Sequence, residues 1–122
     1  MRDAEYFARW VFPLTSCRVY DGDTLMDMVL DLGFGLSFKT TGRLSGINAP
    51  EVRGKMKADG IISRDWLNQS IQSAQSIYVQ TISERRRTLK GKYGRWIISV
   101  WADGVNLNEE SVRLGYAKKA RY

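Results

Sequence analysis

Three short clusters in this chain carry residue types suited to metal or phosphate chemistry. The first is Asp21-Gly22-Asp23-Thr24. Two carboxylates around a glycine offer hard oxygens to Ca²⁺ or Mg²⁺, although Asp-Gly is also a common turn dipeptide. The second runs from Arg43 through Leu44-Ser45-Gly46-Ile47-Asn48-Ala49-Pro50 to Glu51. A guanidinium is a planar donor fork that matches two phosphate oxygens, and a nearby carboxylate can take a proton from water. Read plainly, the same residues are a strand arginine and a surface glutamate. The third, Lys92-Tyr93-Gly94-Arg95, adds two cations and a phenol able to touch phosphate or stack on a base; its plain reading is a basic hairpin loop. Each cluster alone reads as well as ordinary structure. Together they supply metal ligands, a base and cations, the parts that phosphodiester hydrolysis requires.

Composition narrows the chemistry further. The 122 residues include no histidine, which excludes a Ser-His-Asp triad, histidine-based zinc sites and a histidine base. Cys17 is the single cysteine, so no intrachain disulfide forms, and its setting in a strand fits a buried structural thiol. Lys and Arg outnumber Asp and Glu by 19 to 13, a net charge of +6 that favours polyanionic partners. The first 13 residues mix charges with aromatics and lack the pattern of a signal peptide. No stretch approaches the roughly 20 apolar residues of a membrane span. A protein working in the cytoplasm, as a monomer away from membranes, is expected.

Strands and helices must hold these clusters in place. From Cys17 to Ile47 the pattern is β-like. Met26, Met28, Leu30 and Leu32 alternate with polar positions, Gly33-Phe34-Gly35 reads as a turn, and Leu36, Phe38 and Leu44 continue an apolar face. Ser37, Lys39, Thr41 and Arg43 then lie on the solvent side. A helix is expected over residues 59–75, where Ile62, Trp66, Leu67, Ile71 and Ala74 recur at spacings of three and four. Strands are expected over 76–82 and 95–101, joined by a basic loop over 83–94. An Asp103-Gly104 turn and a short helix capped by Asn106 and ended by Gly115 close the chain. This order describes an α+β, mainly β fold: a five-stranded OB-type barrel with two or three short helices. Residues 1–16 read as an N-terminal extension packing on the barrel, and 17–122 as the barrel domain.

In order and approximate spacing, Asp21 to Thr24, Arg43 to Glu51 and Lys92 to Arg95 resemble the signature of the thermonuclease (staphylococcal nuclease-like) family. Trp101 to Gly104, Asn108-Glu109 and Val112 to Ala117 are similar to that family's closing segment. The resemblance implies a calcium-dependent phosphodiesterase cutting DNA, RNA or both and leaving 3′-phosphate ends, with Mg²⁺ or Mn²⁺ as alternative metals. It makes Asp23 the main metal ligand, helped by Asn48 and the carbonyl of Ala49. Glu51 acts on the attacking water, Arg43 and Arg95 grip the scissile phosphate, and Lys92 and Tyr93 contact a terminal phosphate. Asn48 stands where the family usually has an aspartate, removing a negative charge from the metal site. Gly91 stands in place of a common acidic residue. The alternative reading is a non-catalytic nucleic-acid-binding module on the same barrel.

Overall fold

The computed structural model describes residues 10–81 and 95–120. Strands β1 (Val11–Asp21), β2 (Thr24–Gly33) and β3 (Leu36–Leu44) form an antiparallel meander, followed by the short β4 (Ile47–Asn48). A 3₁₀ turn (Gly54–Met56) leads into helix α1 (Lys57–Ser73). Then come β5 (Ile77–Thr81), β6 (Trp96–Ala102), β7 (Val105–Asn106), α2 (Leu107–Arg113) and β8 (Lys118–Lys119).

The main sheet runs β3-β2-β1-β5-β6-β7, and a parallel pairing of β3 with β6 (Gly42↔Trp96, Arg43↔Ile97, Leu44↔Ile98) joins its ends. Five strands thereby close into the expected barrel. Closure depends on Gly42: a Cβ there would stand 2.5 Å from Ile98 Cδ1 and 3.0 Å from Met28 Sδ, inside the barrel. The interior is filled by Leu25, Met28, Leu30, Leu44, Val79, Ile98 and Val100, with Leu67 and Ile71 of α1 packed on it.

Several local expectations hold for backbone reasons. Phe34-Gly35 and Asp103-Gly104 each have two successive positive φ angles, as a tight two-residue hairpin turn requires. The Asn106 side chain accepts the Glu109 N–H at 3.1 Å and starts α2. Gly115 (φ 86°) ends it, with Tyr116 N–H donating to the Ser111 carbonyl. Asp103 also accepts the N–H groups of Gln75 and Ser76, which hold its carboxyl below the usual range.

Other expectations shift. β1 begins at Val11, six residues before Cys17: Val11 to Pro13 pair with β5, and from Leu14 the strand pairs with β2. Pro13, which has no N–H, occupies the last position before that change of partner. In β2 the register slips between Leu25 and Met28, and Asp27 has φ 51°. This bulge inserts one residue, so Leu25 rather than Met26 enters the core beside Met28 and Leu30. α1 starts and ends two residues earlier than expected.

Candidate active site

The Asp21–Thr24 turn joins β1 to β2 at the barrel end where β3 finishes. Asp21 Oδ1 accepts the Asp23 N–H at 3.0 Å, a local bond that bends the chain and aims Asp23 inward. Asp23 is then fixed from three directions. Its Oδ1 accepts the Thr24 hydroxyl at 3.0 Å, its Oδ2 accepts the Ala49 N–H at 2.8 Å, and Arg43 Nη2 lies 3.4 Å from Oδ2. The register Thr24↔Arg43 brings the arginine alongside.

Arg43 donates through Nη1 to the Leu44 carbonyl at 2.8 Å and through Nη2 to Asn48 Oδ1 at 2.7 Å. Alternation does put it on the outer side of the barrel, but not in solvent: Arg43 is 8 % exposed and Asp23 7 %. The expectation of a solvent-facing arginine is corrected. A long-range hydrogen bond from Ala49 and the neighbouring Asn48 fold the segment after β3 back over it. This segment is anchored from below by Asn108 of α2, whose Nδ2 donates to Ser45 and Ile98 carbonyls while Oδ1 accepts from Val100 N–H.

Burial, and after it the neighbouring Asp23, push the Asp21 carboxyl up to about 7. Desolvation and a neighbouring carboxylate both disfavour the ionised form of the Asp21 carboxyl. Asp21 belongs to the first cluster read from the sequence, yet the resemblance gave it no role; its burial is what reveals its part in the site.

Glu51 is exposed and follows Pro50 at the rim. The Tyr20 phenol, to which Arg53 Nη2 donates at 2.8 Å, is the main cause holding the Arg53 guanidinium above its ordinary value, and the Glu51 carboxylate adds a smaller pull in the same direction. Arg53 and Tyr20 flank the two motifs and carry no signal of their own in the sequence. Arg95 immediately precedes β6, two residues before Ile97, the register partner of Arg43 on β3. Lys92 and Tyr93 lie outside the described residues, as does the basic loop. A cleft of about 550 Å³ opens beside Asn48, Ala49 and Pro50, walled by Met56, Ile62 and Tyr116. Tyr116 stacks on Trp66 of α1 with ring centres 5.0 Å apart.

The side-chain oxygens gathered at this end, from Asp21, Asp23 and Asn48, are hard donors. They fit a Ca²⁺-like cation in kind. Among the described residues no group of three or more Asp, Glu, Cys or His side chains is gathered as a metal site. The set is therefore low in negative charge, as Asn48 leads one to expect. Among the same residues, no helix is long and apolar enough to cross a membrane.

The model of the staphylococcal nuclease homologue family matches residues 41–122. That span includes Arg43, Asn48, Ala49, Glu51 and Arg95. Asp21 and Asp23 precede it and are joined to it by the bonds to Ala49 and Arg43. A comparison with curated proteins finds no match. With two thirds of its length matched and a mainly β barrel bringing the first two clusters together at one end, the chain belongs to the staphylococcal nuclease homologue family, a family of nucleases.

Proposed function

We propose that the protein is a calcium-dependent phosphodiesterase acting on DNA, RNA or both. The observation that carries this reading is the buried constellation of Asp21, Asp23 and Arg43, pinned to the Asn48-Ala49 segment two residues ahead of Glu51. Asp23 and Asp21, with the Asn48 and Ala49 oxygens, are the residues that would hold the metal. Bound there, the metal would neutralise charge on the phosphate.

The chain's own residues supply the rest. Arg43 on β3 and Arg95, which immediately precedes the adjacent β6, bind the phosphate oxygens and stabilise the charge that builds on them in the transition state. The low exposure of Arg43 strengthens this effect, because little water competes for the guanidinium. Glu51 takes a proton from the attacking water. Its exposure at the rim leaves room for that water and for a polymeric substrate. Lys92 and Tyr93 contact a terminal phosphate.

The test is cleavage of single-stranded DNA, double-stranded DNA and RNA in calcium, magnesium or EDTA, with Glu51→Ala alongside. Cutting that needs calcium and falls by about 10²-fold or more in the variant supports the reading. Less than a tenfold loss removes Glu51 from its role. One observation favours the second reading, a binding module that does not cut: the Asn48 oxygen already accepts a bond from Arg43. Salt-sensitive binding without cleavage in any divalent metal would decide for it.

A further inference from the structure

We infer that one turn of α1, from Gly60 to Ser63, is the gauge that sets Glu51 and the Asp21-Gly22-Asp23 turn against each other, making Gly60 and Ser63 positioning residues. The inference rests on the nuclease reading for its consequence in rate, and on packing for its geometry.

Gly60 is buried, and the Glu51 peptide group lies directly on it. A Cβ at Gly60 would stand 2.0 Å from the Glu51 carbonyl oxygen, 2.4 Å from its carbonyl carbon and 2.8 Å from the Val52 nitrogen. These are backbone atoms, so no rotamer change relieves the clash. Any side chain at residue 60 must displace the segment that carries Glu51.

Ser63 lies three residues on, along the same side of the helix. It is 1 % exposed, and a Cβ at Gly22 would come within 1.9 Å of its Oγ and 2.7 Å of Ala49 Cβ. Gly22 is thus wedged between the helix and the segment after β4. Among the described residues the Ser63 hydroxyl has no hydrogen-bond partner. What Ser63 contributes at this contact is its small size. One helix therefore touches both segments of the site, and it does so through residues with little or no side chain. Glycine within a helix costs about 1 kcal/mol relative to alanine by propensity alone, so its presence at residue 60 calls for a reason such as this one.

Gly60→Ala is expected to keep the fold and to lower kcat on single-stranded DNA about 10²-fold with little change in KM, since a shift near 1 Å has that effect. Added to Glu51→Gln, it should cost less than about twofold more, because the group it misplaces has already been removed. Cleavage by Gly60→Ala at the wild-type rate overturns the inference, as does a full, additive loss on the Glu51→Gln background. In ¹H–¹⁵N spectra Gly60→Ala should move the Glu51 and Val52 amide signals and leave those of Asp103 and Gly104 in place; unmoved Glu51 and Val52 signals overturn it too. The spectra also separate two kinds of failure. A wild type that never cuts defeats the nuclease reading, while the amide shifts still decide whether Gly60 sets Glu51. Should Gly60→Ala not fold, Ser63→Thr and Ser63→Ala carry the test. Threonine should lower kcat about tenfold and shift the Gly22 and Asp23 amides, and alanine should stay within about twofold of wild type. Equal behaviour of the two overturns the inference.

Discussion

The two ends of the β2–β3 hairpin invert the usual rule for polarity. At one end Asp23, Thr24 and Arg43 are buried. At the other, Leu32, Phe34, Leu36 and Phe38 are exposed, with Phe34 standing at the tip of the turn. The same two strands therefore shelter charges and display apolar side chains. What differs is the company each end keeps. At the charged end β6, α1, α2 and the Asn48–Ala49 segment converge, and every oxygen of Asp23 has a donor. A buried charge is tolerated when it is paired and hydrogen-bonded in this way. Toward the tip, Phe38 still meets Trp96 edge-on with ring centres 5.8 Å apart, while Phe34 beyond it is fully exposed. Burial here follows neighbours, not side-chain type.

The largest effect that should break this contrast is Arg43→Ala. It leaves Asp23 buried beside a lost cation, at a cost of roughly 3–5 kcal/mol by urea denaturation. It also removes a phosphate donor, so cleavage should fall by about 10²–10³-fold. A variant as stable as wild type would mean that the Asp23–Arg43 pair is not the brace described above.

Next comes a pair that sharpens where the sheltered end begins. Because of the bulge at Asp27, Leu25→Ala should destabilise by about 2–5 kcal/mol and Met26→Ala by less than about 1 kcal/mol. The reverse order would show that β2 keeps an unbroken alternation.

The smallest effect belongs to the tip. Phe34 occupies a left-handed conformation (φ 56°) followed by Gly35, and Asn-Gly is a preferred pair for such a turn. Phe34→Asn should therefore leave stability unchanged or raise it by about 0.5 kcal/mol, read as a small increase in Tm. A loss above about 1 kcal/mol would show that Phe34 is covered in solution.

Much of this molecule is legible in the chain. The Phe34-Gly35 and Asp103-Gly104 turns, the Asn106 cap and the Gly115 stop depend on φ preferences and hydrogen bonds spanning a few residues. Their signals lie next to the structures they cause. The strands of the meander follow from alternation for the same reason. The three clusters were likewise visible, and Asp23, Arg43, Asn48 and Ala49 do meet. Alternation failed at Asp27, because a bulge changes which residue faces inward without leaving a mark in composition. It also misjudged Arg43: period two tells which side of the sheet a residue takes, and not whether another segment later covers that side.

By itself, then, the sequence determined the local elements, the mainly β class and the residue types brought to the site, since these rest on short-range physics. The tertiary structure alone decided closure of β3 on β6, the burial of the Asp23–Arg43 pair, the part taken by Asp21, and the contact of Gly60 with Glu51. Each of these joins residues far apart in the chain. Such contacts exist only once the barrel and its helices have packed, because each depends on others that place and shield its partners.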